Sequence, residues 1–327
     1  MESRKKDHII LAEQAQQFER EFQGAYYYEP LLASNNLEEL PIQTFLGKKI
    51  NLPFWVSSMT GGTSNARQIN KNLATVCQEF GMGLGLGSCR SIIDTDYRFE
   101  DFNMREYLGD DLPLMANLGI AQIEELLEEK AIDKIIKLVD SLKADGLFVH
   151  VNPLQELLQP EGDIYKKAPI ETIEVLCESV DFPVMVKEVG QGMGPKSLEA
   201  LLKTKAAGVE FGAHGGTNFS MLELLRGQGL VKEQMRDWAS IGHSVEEMII
   251  YLNHLDSDIL HNKEIIISGG LNPLKGYFLL NKLNQPALIG MAYGFLKSAH
   301  GHYNNLQSNV NLMKKSLQMA HQFLHQA

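Results

Sequence analysis

The chain has 327 residues, of which 44% are hydrophobic and 22% charged, with 28 Gly and 11 Pro. This composition excludes a disordered chain, a collagen-like fibre and a small disulfide scaffold, and the length suits one large α/β barrel or two ordinary domains. The formal net charge of -11 excludes the dense basic face that nucleic-acid binding requires, so we expect no nucleic-acid partner.

The cysteines and the N-terminal sequence favour a cytoplasmic protein. Cys77, Cys89 and Cys177 are odd in number and show no CxxC spacing, which favours reduced thiols. The opening MESRKKDHII is followed by the polar AEQAQQFERE, without the apolar region of a signal peptide. No apolar run approaches the ~20 residues of a membrane span, so we expect no membrane partner.

In chain order, residues 1–50 precede the first repeat, and we expect them to form an N-terminal extension that covers part of one end of the fold. Eight short apolar or Gly-rich runs follow, seven of them ending in Gly or a polar residue, and we predict that they are strands. They lie at 53–62, 81–88, 112–119, 146–152, 182–190, 208–216, 264–270 and 286–292. Helical patterns separate most of them, for example at 121–142 and, beginning with Pro195, at 195–206. The segment 303–327 is the predicted final helix.

The alternation of strands and helices predicts an α/β fold of parallel units. The ends of the first six strands are spaced by 25 to 37 residues, which suits a (β/α)8 barrel. The longer gap from Gly212 to Ser268 predicts an insertion or lid at 220–263, between strands 6 and 7. We expect residues 1–327 to form a single barrel domain. An open doubly wound sheet would show the same alternation, but eight strands without a halfway break favour closure.

Polar residues end several of the predicted strands. Ser58, Asn117, His150 and Lys187 each end an apolar run. In (β/α)8 barrels the carboxyl ends of the strands carry the active site. One such residue would simply mark the exit to a loop. Four of them, including a lysine that is costly to bury without a partner, indicate a functional site.

Glycine-rich turns follow four predicted strands, as MTGG (59–62), HGGTNF (214–219), SGG (268–270) and GMAYG (290–294). Glycine lets backbone N–H groups approach a phosphate, and the loops after barrel strands 7 and 8 commonly form a phosphate site. Each Gly pair is weak evidence alone, because tight turns need glycine anyway. No GxGxxG motif with its acidic partner opens a helix after a strand.

Two polar segments have both an ordinary and a functional interpretation. HVNPLQE, from His150 to Glu156, is either a polar loop or a site at which Glu156 binds Mg²⁺ together with substrate phosphate oxygens. The cluster RKKDH at 4–8 is usually a solvated terminus, and its alternative role is to close over a diphosphate. No spacing of His, Cys and acidic residues indicates zinc, and there is no G-x-S-x-G motif.

A series of motifs runs over nearly the whole chain. They are RKxxH at 4–8, MTGG at 59–62, GS with a following Arg at 87–90, ANLG at 116–119, HxNxxQE at 150–156, QPEGD at 159–163, VKEVGxGM at 186–193, GGTNF at 215–219, SGG at 268–270 and GMA at 290–292. In this order they resemble the type 2 isopentenyl-diphosphate isomerases, the FMN-dependent kind. HxNxxQE followed by PEGD, and GGTNF after KEVG, are the most specific of them.

The resemblance implies a TIM barrel that interconverts isopentenyl and dimethylallyl diphosphate. It implies reduced FMN as acid and base, Mg²⁺ for the diphosphate, NAD(P)H as reductant and a homo-oligomer, a tetramer or octamer. The residues implied for FMN are Ser58, Met59, Thr60, Ser88, Asn117, Lys187, Thr217, Gly269, Gly270, Ala292 and Tyr293. Those implied for the substrate are Arg4, Lys5, His8, Arg90, His150, Asn152 and Gln155. Gln155, Lys187 and His150 would be catalytic, and Glu156 would bind Mg²⁺.

Some positions depart from the family pattern, and two other functions stay open. Leu271-Asn272-Pro273 follows SGG where the family often has Ile-Arg, Cys89 stands where Gln is common, and the segment 191–194 lacks a Ser. An FMN-dependent oxidoreductase acting on a 2-hydroxy acid would need an Arg near the flavin, and the missing Arg argues against it. A non-catalytic barrel that binds flavin or phosphate is disfavoured because Lys187, His150, Gln155 and Glu156 are all retained.

Overall fold

Eight parallel strands form a closed barrel in the computed structural model, which describes residues 2–17, 26–58, 60–63, 65–227 and 233–326. The strands follow one another around the barrel in chain order. They are β1 (Phe54–Val56), β2 (Gly83–Gly85), β3 (Leu114–Gly119), β4 (Gly146–His150), β5 (Val184–Lys187), β6 (Gly208–Glu210), β7 (Glu264–Ser268) and β8 (Leu288–Met291). The predicted (β/α)8 barrel is confirmed, and the open doubly wound sheet is excluded.

Helices connect the strands and surround the barrel. They are α1 (Glu2–Leu11), α2 (Ala66–Phe80), α3 (Arg105–Leu108), α4 (Ile120–Glu128), α5 (Ile132–Ser141), α6 (Pro153–Leu158), α7 (Pro169–Ser179), α8 (Pro195–Lys203), α9 (Phe219–Arg226), α10 (Val245–Asn253), α11 (Ser257–Leu260), α12 (Pro273–Leu280), α13 (Tyr293–Ala299) and α14 (Tyr303–Phe323). Four of these begin at proline, which lacks the N–H that a first turn leaves unbonded. Helices α9 to α11 lie between β6 and β7. Within the described part of the chain, no helix combines the length and apolar character that crossing a membrane demands.

Apolar side chains fill the lower part of the barrel interior. Trp55 of β1 is fully buried. The centroid of its ring lies 5.7 Å from the ring centroid of Phe148 of β4 and 5.3 Å from that of Phe45. Such aromatic contacts add about 0.5–1.5 kcal/mol each beyond the burial of apolar area. The interior is therefore a packed core up to the level at which the strands end in polar residues.

Residues of the N-terminal segment pack at the amino-terminal end of the barrel. The short strands Gln43–Phe45 and Lys48–Ile50 form a hairpin that buries Phe45 and Ile50. The N–H of Leu46 donates to the carboxylate of Glu264, the first residue of β7, at 2.7 Å. This hairpin does not cover the opposite, carboxyl-terminal end of the barrel.

Candidate active site

A cavity of about 810 Å³ opens at the carboxyl ends of the barrel strands. Residues at or near the carboxyl ends of the strands line it, and they include Ser57, Ser58, Asn117, His150, Lys187, Glu210, Ser268 and Met291. A cavity of roughly 300–1,000 Å³ is the usual size for a bound small molecule. The polar strand ends singled out in the sequence therefore share one binding volume.

Most of the residues implied for a site line this cavity. They are Ser58, Ser88, Arg90, Asn117, His150, Asn152, Gln155, Glu156, Lys187, Thr217, Gly269, Gly270, Ala292 and Tyr293. Thr60 is not among the lining residues, because its hydroxyl hydrogen bonds to Asn70 Oδ1 at 2.5 Å. Arg4, Lys5 and His8 lie on α1, where their side chains are exposed and outside the cavity lining. Met59 lies outside the described residues.

Asn117 fixes the tautomer of His150. The Asn117 Nδ2 donates to the carbonyl of Leu86 at 3.0 Å, so its Oδ1 is the acceptor that faces His150 Nδ1 at 2.9 Å. The imidazole therefore carries its proton on Nδ1, and Nε2 has a free lone pair. Nε2 is therefore the ring atom that can accept a further hydrogen bond.

Burial, and then the nearby Lys187 ammonium, lower the pKa of His150 to about 3. Both effects disfavour the imidazolium, the first by removing water and the second by charge repulsion. His150 is therefore neutral in the free protein at physiological pH. Lys187 itself is only 7% exposed, and β4 and β5 align the two residues in register.

Replacing His150 with Gln is expected to reduce the loss of stability on acidification. The unfolded chain protonates this histidine near pH 6.5 and the folded protein only near pH 3, so the unfolded state binds more protons between these values. The contribution of His150 to the free energy of unfolding is complete above pH 6.5 and is lost as the pH falls towards 3. The free energy of unfolding is measured with urea at pH 6.5 and at pH 5. Between these two pH values it should fall by about 2 kcal/mol more in the wild type than in the variant. If both proteins lose the same free energy of unfolding between these pH values, His150 is not neutral in the folded protein.

Several buried polar atoms in this cavity have no hydrogen-bond partner within the described structure. They are Ser57 Oγ, Ser58 Oγ and Glu210 Oε2. Buried polar groups are almost always paired, because an unpaired one costs about 1–3 kcal/mol. Their shared position in the lining of one cavity indicates that a bound molecule or ordered water completes their hydrogen bonds.

Four glycines form a glycine cradle beside these atoms: Gly215, Gly216, Gly269 and Gly270. Gly270 has a φ of 65°, and a Cβ there would overlap the carbonyl oxygen of Gly215. A Cβ on Gly216 would lie 2.7 Å from the Gly270 nitrogen. Only glycine allows the loops after β6 and β7 to approach this closely, and the absence of side chains leaves their peptide groups uncovered for an anion.

Glu156 lines the cavity and accepts several hydrogen bonds. Its Oε1 accepts from Asn152 Nδ2 at 2.7 Å, and its Oε2 accepts from Gln159 Nε2 at 2.8 Å and the Asp163 N–H at 2.7 Å. Asn152 precedes α6, whose first turn begins at Pro153 and contains Glu156. The carboxylate is therefore held rigidly at the cavity wall.

The Gln155 side chain is oriented from both ends. Its Oε1 accepts from Asn152 Nδ2 at 3.1 Å, and its Nε2 donates to Glu223 Oε1 at 3.2 Å. Arg226 donates to the second oxygen of Glu223 at 2.5 Å. This series of contacts joins α6 to α9, so Glu223 belongs to the site although the sequence analysis did not identify it.

Arg90 is anchored by an acidic residue of the QPEGD motif. Its guanidinium pairs with Asp163, and Gln122 Nε2 donates to the same carboxylate at 2.7 Å. The loop after β2 is thereby tied to the segment after α6. Arg90 contributes a positive charge to the cavity wall near Glu156.

Glu188 organises the loop that follows Lys187. Its Oε2 accepts from the N–H groups of Gly190, Gln191 and Gly192, at 2.7, 2.5 and 2.9 Å. Burial raises the pKa of Glu188 to about 7, although these hydrogen bonds favour the carboxylate. Both Glu188 and this loop line the cavity, so the backbone geometry beside Lys187 depends on one buried acid.

The arrangement defines a (β/α)8-barrel enzyme site that combines the glycine cradle with a buried lysine. No family model matches the chain. Proteins named isopentenyl-diphosphate delta-isomerase are similar to it. That of Nostoc sp. is 32% identical over 91% of this chain and 84% of its own length. That of Rickettsia akari is 34% identical over 84% of this chain and 78% of its own length. That of Rickettsia africae is 31% identical over 97% and 91%.

Solved barrels show the same fold at low sequence identity. A mutant flavocytochrome b2 with pyruvate bound has a TM-score of 0.63 at 16% identity, over 91% of this chain and 72% of its own. A mandelate oxidase mutant has a TM-score of 0.56 at 10% identity, over 92% and 84%. The identities to the curated relatives over most of their length decide the family: the chain belongs to the type 2 isopentenyl-diphosphate delta-isomerases, a family of enzymes.

Proposed function

We propose that the protein interconverts isopentenyl and dimethylallyl diphosphate, using reduced FMN as acid and base and Mg²⁺ to hold the diphosphate. The observation that carries the proposal is that one cavity holds two kinds of polar group. Lys187 and the glycine cradle line it, and so do the hydrogen-bonded residues Asn152, Gln155 and Glu156. A cofactor and a substrate can therefore bind next to each other in one volume.

The residues present fit a flavin mononucleotide. The volume is sufficient, the glycine cradle suits a phosphate, and the unpaired Ser57 and Ser58 hydroxyls suit the polar edge of a ring system. The mandelate oxidase that shares the fold carries an FMN adduct. Lys187 would stabilise negative charge on the reduced ring, because a buried cation acts strongly on charge nearby.

The chemistry adds a proton to a C=C bond and removes one from the neighbouring carbon. Reduced flavin supplies electron density that stabilises positive charge on the alkene, and a site that carries the proton. Gln155, oriented by Asn152 and Glu223, positions the reacting carbons or relays a proton. The packed barrel core below the cavity keeps water away from that side of the reacting carbons.

The donor set around Glu156 fits Mg²⁺ that is shared with the substrate. No cluster of three or more His, Cys, Asp or Glu side chains suited to a metal occurs in the ranges that the structure describes. Mg²⁺ commonly binds one or two carboxylates together with substrate phosphates and water. Glu156 would supply the carboxylate, and Arg90 and His150 would contact the diphosphate.

Other parts of the proposal rest on the resemblance alone. Arg4, Lys5 and His8 would close over the diphosphate from α1, which requires this exposed helix to move onto the mouth of the barrel. NAD(P)H would supply the electrons for the flavin. The protein would act in the cytoplasm on a small-molecule diphosphate, as a homo-oligomer.

Replacing Gly270 with Ala is expected to lower the affinity for FMN more than 10-fold. The new Cβ would overlap the Gly215 carbonyl and push the two loops of the glycine cradle apart. Gly109→Ala is the matched control, because its φ of 79° carries the same kind of backbone strain, about 1–3 kcal/mol, with no atom within 4 Å of the Cβ. Quenching of FMN fluorescence on titration measures both variants. If the Gly270→Ala protein binds FMN as tightly as the Gly109→Ala protein does, the glycine cradle is not the site that binds the FMN phosphate.

A comparison of substrates separates the proposed function from its alternatives. Protein saturated with FMN and Mg²⁺ is reduced with dithionite under nitrogen and incubated with isopentenyl diphosphate. In parallel, the oxidised protein is incubated with a 2-hydroxy acid such as lactate. We expect dimethylallyl diphosphate in the first reaction and no flavin reduction in the second. Flavin bleaching by the 2-hydroxy acid without isomerisation would favour the oxidoreductase, and no reaction in either would favour a binding protein.

A further inference from the structure

Glu210 is a buried acid in the cavity that the proposed reaction does not use. It is the last residue of β6, is 2% exposed and lines the cavity. Its Oε2 has no hydrogen-bond partner in the described structure. The sequence analysis missed it because GVEFG presents a single acid between apolar residues, and only the alternation of side chains along the strand places it inside the barrel.

The other acids that line the described cavity already have hydrogen-bond donors. Glu188 accepts from three backbone N–H groups, and Glu156 accepts from Asn152, Gln159 and a backbone N–H. Asp163 accepts from Arg90 and Gln122. Glu210 therefore stands apart, since a buried carboxylate without partners is costly and needs an opposite charge nearby.

Lys187 is the cation in register with Glu210. The two residues align across the pairing of β5 and β6, strands that lie about 4.8 Å apart, and both line the same cavity. Neither takes part in the ion pairs found among the described residues, so the two charges are neighbours in the cavity without a direct ion pair. On the other side of Lys187, in register, stands the neutral His150.

We propose that Glu210 is a positioning residue: its carboxylate is the counter-charge of Lys187, and it would hold down the reduction potential of a flavin bound in this cavity. The inference rests on the proposed function for the presence of FMN. Two electrons and one proton, supplied by a reductant such as dithionite, add one negative charge at the site on reduction. Glu210 opposes that charge and Lys187 favours it, so their balance sets how strongly the site prefers the reduced form.

The test is the midpoint potential of bound FMN in Glu210→Gln and Glu210→Asp. The Gln variant should bind reduced FMN at least tenfold more tightly, relative to oxidised FMN, than the wild type does. A tenfold change corresponds to a rise of ~30 mV for a two-electron couple. The Asp variant keeps the charge and should stay close to the wild type. Glu124→Gln is the control, because Glu124 is a buried acid of α4 that receives the Lys166 and Lys167 N–H groups outside the cavity.

The outcomes separate this inference from the proposed function. An unchanged or lower potential in Glu210→Gln overturns the inference, and so does an Asp variant that shifts as far as the Gln variant. A protein that does not hold FMN overturns it as well. A protein that shows the expected potentials but makes no dimethylallyl diphosphate keeps the Glu210 assignment and rejects the isomerase.

Discussion

Replacing Lys187 with Met is expected to lower kcat for isomerisation by about 10²–10³-fold, the usual loss when one preorganised charge-stabilising group is removed from an active site. Lys187 is buried, lines the cavity and makes no direct ion pair in the described chain, so its charge is available to what binds there, with the carboxylate of Glu210 as its neighbour. Met keeps the length and the apolar stem of the side chain. Initial rates are measured with excess Mg²⁺ and reduced FMN, at a concentration that saturates the variant.

Lys203→Met is the matched control for this experiment. Lys203 lies on the outer helix α8 and pairs with Glu199 at 2.6 Å, with both side chains exposed. Such a surface pair contributes about 0–1 kcal/mol to stability and lies far from the cavity. A Lys187→Met protein that retains FMN and turns over as fast as Lys203→Met would show that no cation is needed at this position.

Replacing Glu156 with Gln is expected to raise the Mg²⁺ concentration for half-maximal rate at least about 10-fold. The amide cannot replace the carboxylate charge, and its NH₂ group would face the donors that now bind Glu156, such as Gln159 Nε2 and the Asp163 N–H. The rate should therefore fall most at limiting Mg²⁺ and recover in part when Mg²⁺ is in excess. The measurement is a Mg²⁺ titration of the initial rate at fixed isopentenyl diphosphate.

Glu161→Gln provides the comparison within the same segment. Glu161 is exposed, pairs with Arg226 at 2.5 Å and does not line the cavity. Its replacement removes one carboxylate from the same loop without touching the proposed metal ligand. If the two variants share the Mg²⁺ dependence of the wild type, the metal is bound elsewhere.

The barrel was predictable because each of its strands leaves a local signal. Strands that are buried on both faces give continuous apolar runs, and the polar residue at each end marks where the run leaves the barrel. Ser58, Asn117, His150 and Lys187 are such ends, and the structure gathers them in one cavity. Periodicity within one chain therefore sufficed for the fold and for the strand ends that line the site.

Features that depend on tertiary contacts left weaker signals. The helical pattern at 121–142 is two helices, α4 and α5, because Lys130 adopts a left-handed φ of 59° between them. The predicted final helix ends at Phe323, and Leu324–Gln326 pairs as a strand with Tyr26–Tyr28, almost 300 residues away in the chain. Pairing over such a separation has no signature in either segment alone.

The candidate site was predicted unevenly for the same reason. Motifs that are contiguous in the chain, such as HxNxxQE, identified Asn152, Gln155 and Glu156 together. Glu223 and Glu210 were missed because each matters through a residue that is distant in sequence, Gln155 and Lys187 respectively. Single acids in apolar segments become interpretable only when the neighbouring strand or helix is known.

The central claim is that this barrel isomerises isopentenyl diphosphate only when its flavin is reduced. The most direct measurement follows isopentenyl diphosphate by NMR in one anaerobic sample that contains the protein, FMN and Mg²⁺, before and after dithionite is added. We predict no change before reduction, and conversion to dimethylallyl diphosphate afterwards with the flavin still reduced at the end. Conversion that proceeds equally before dithionite is added, or none after full reduction, would contradict the account.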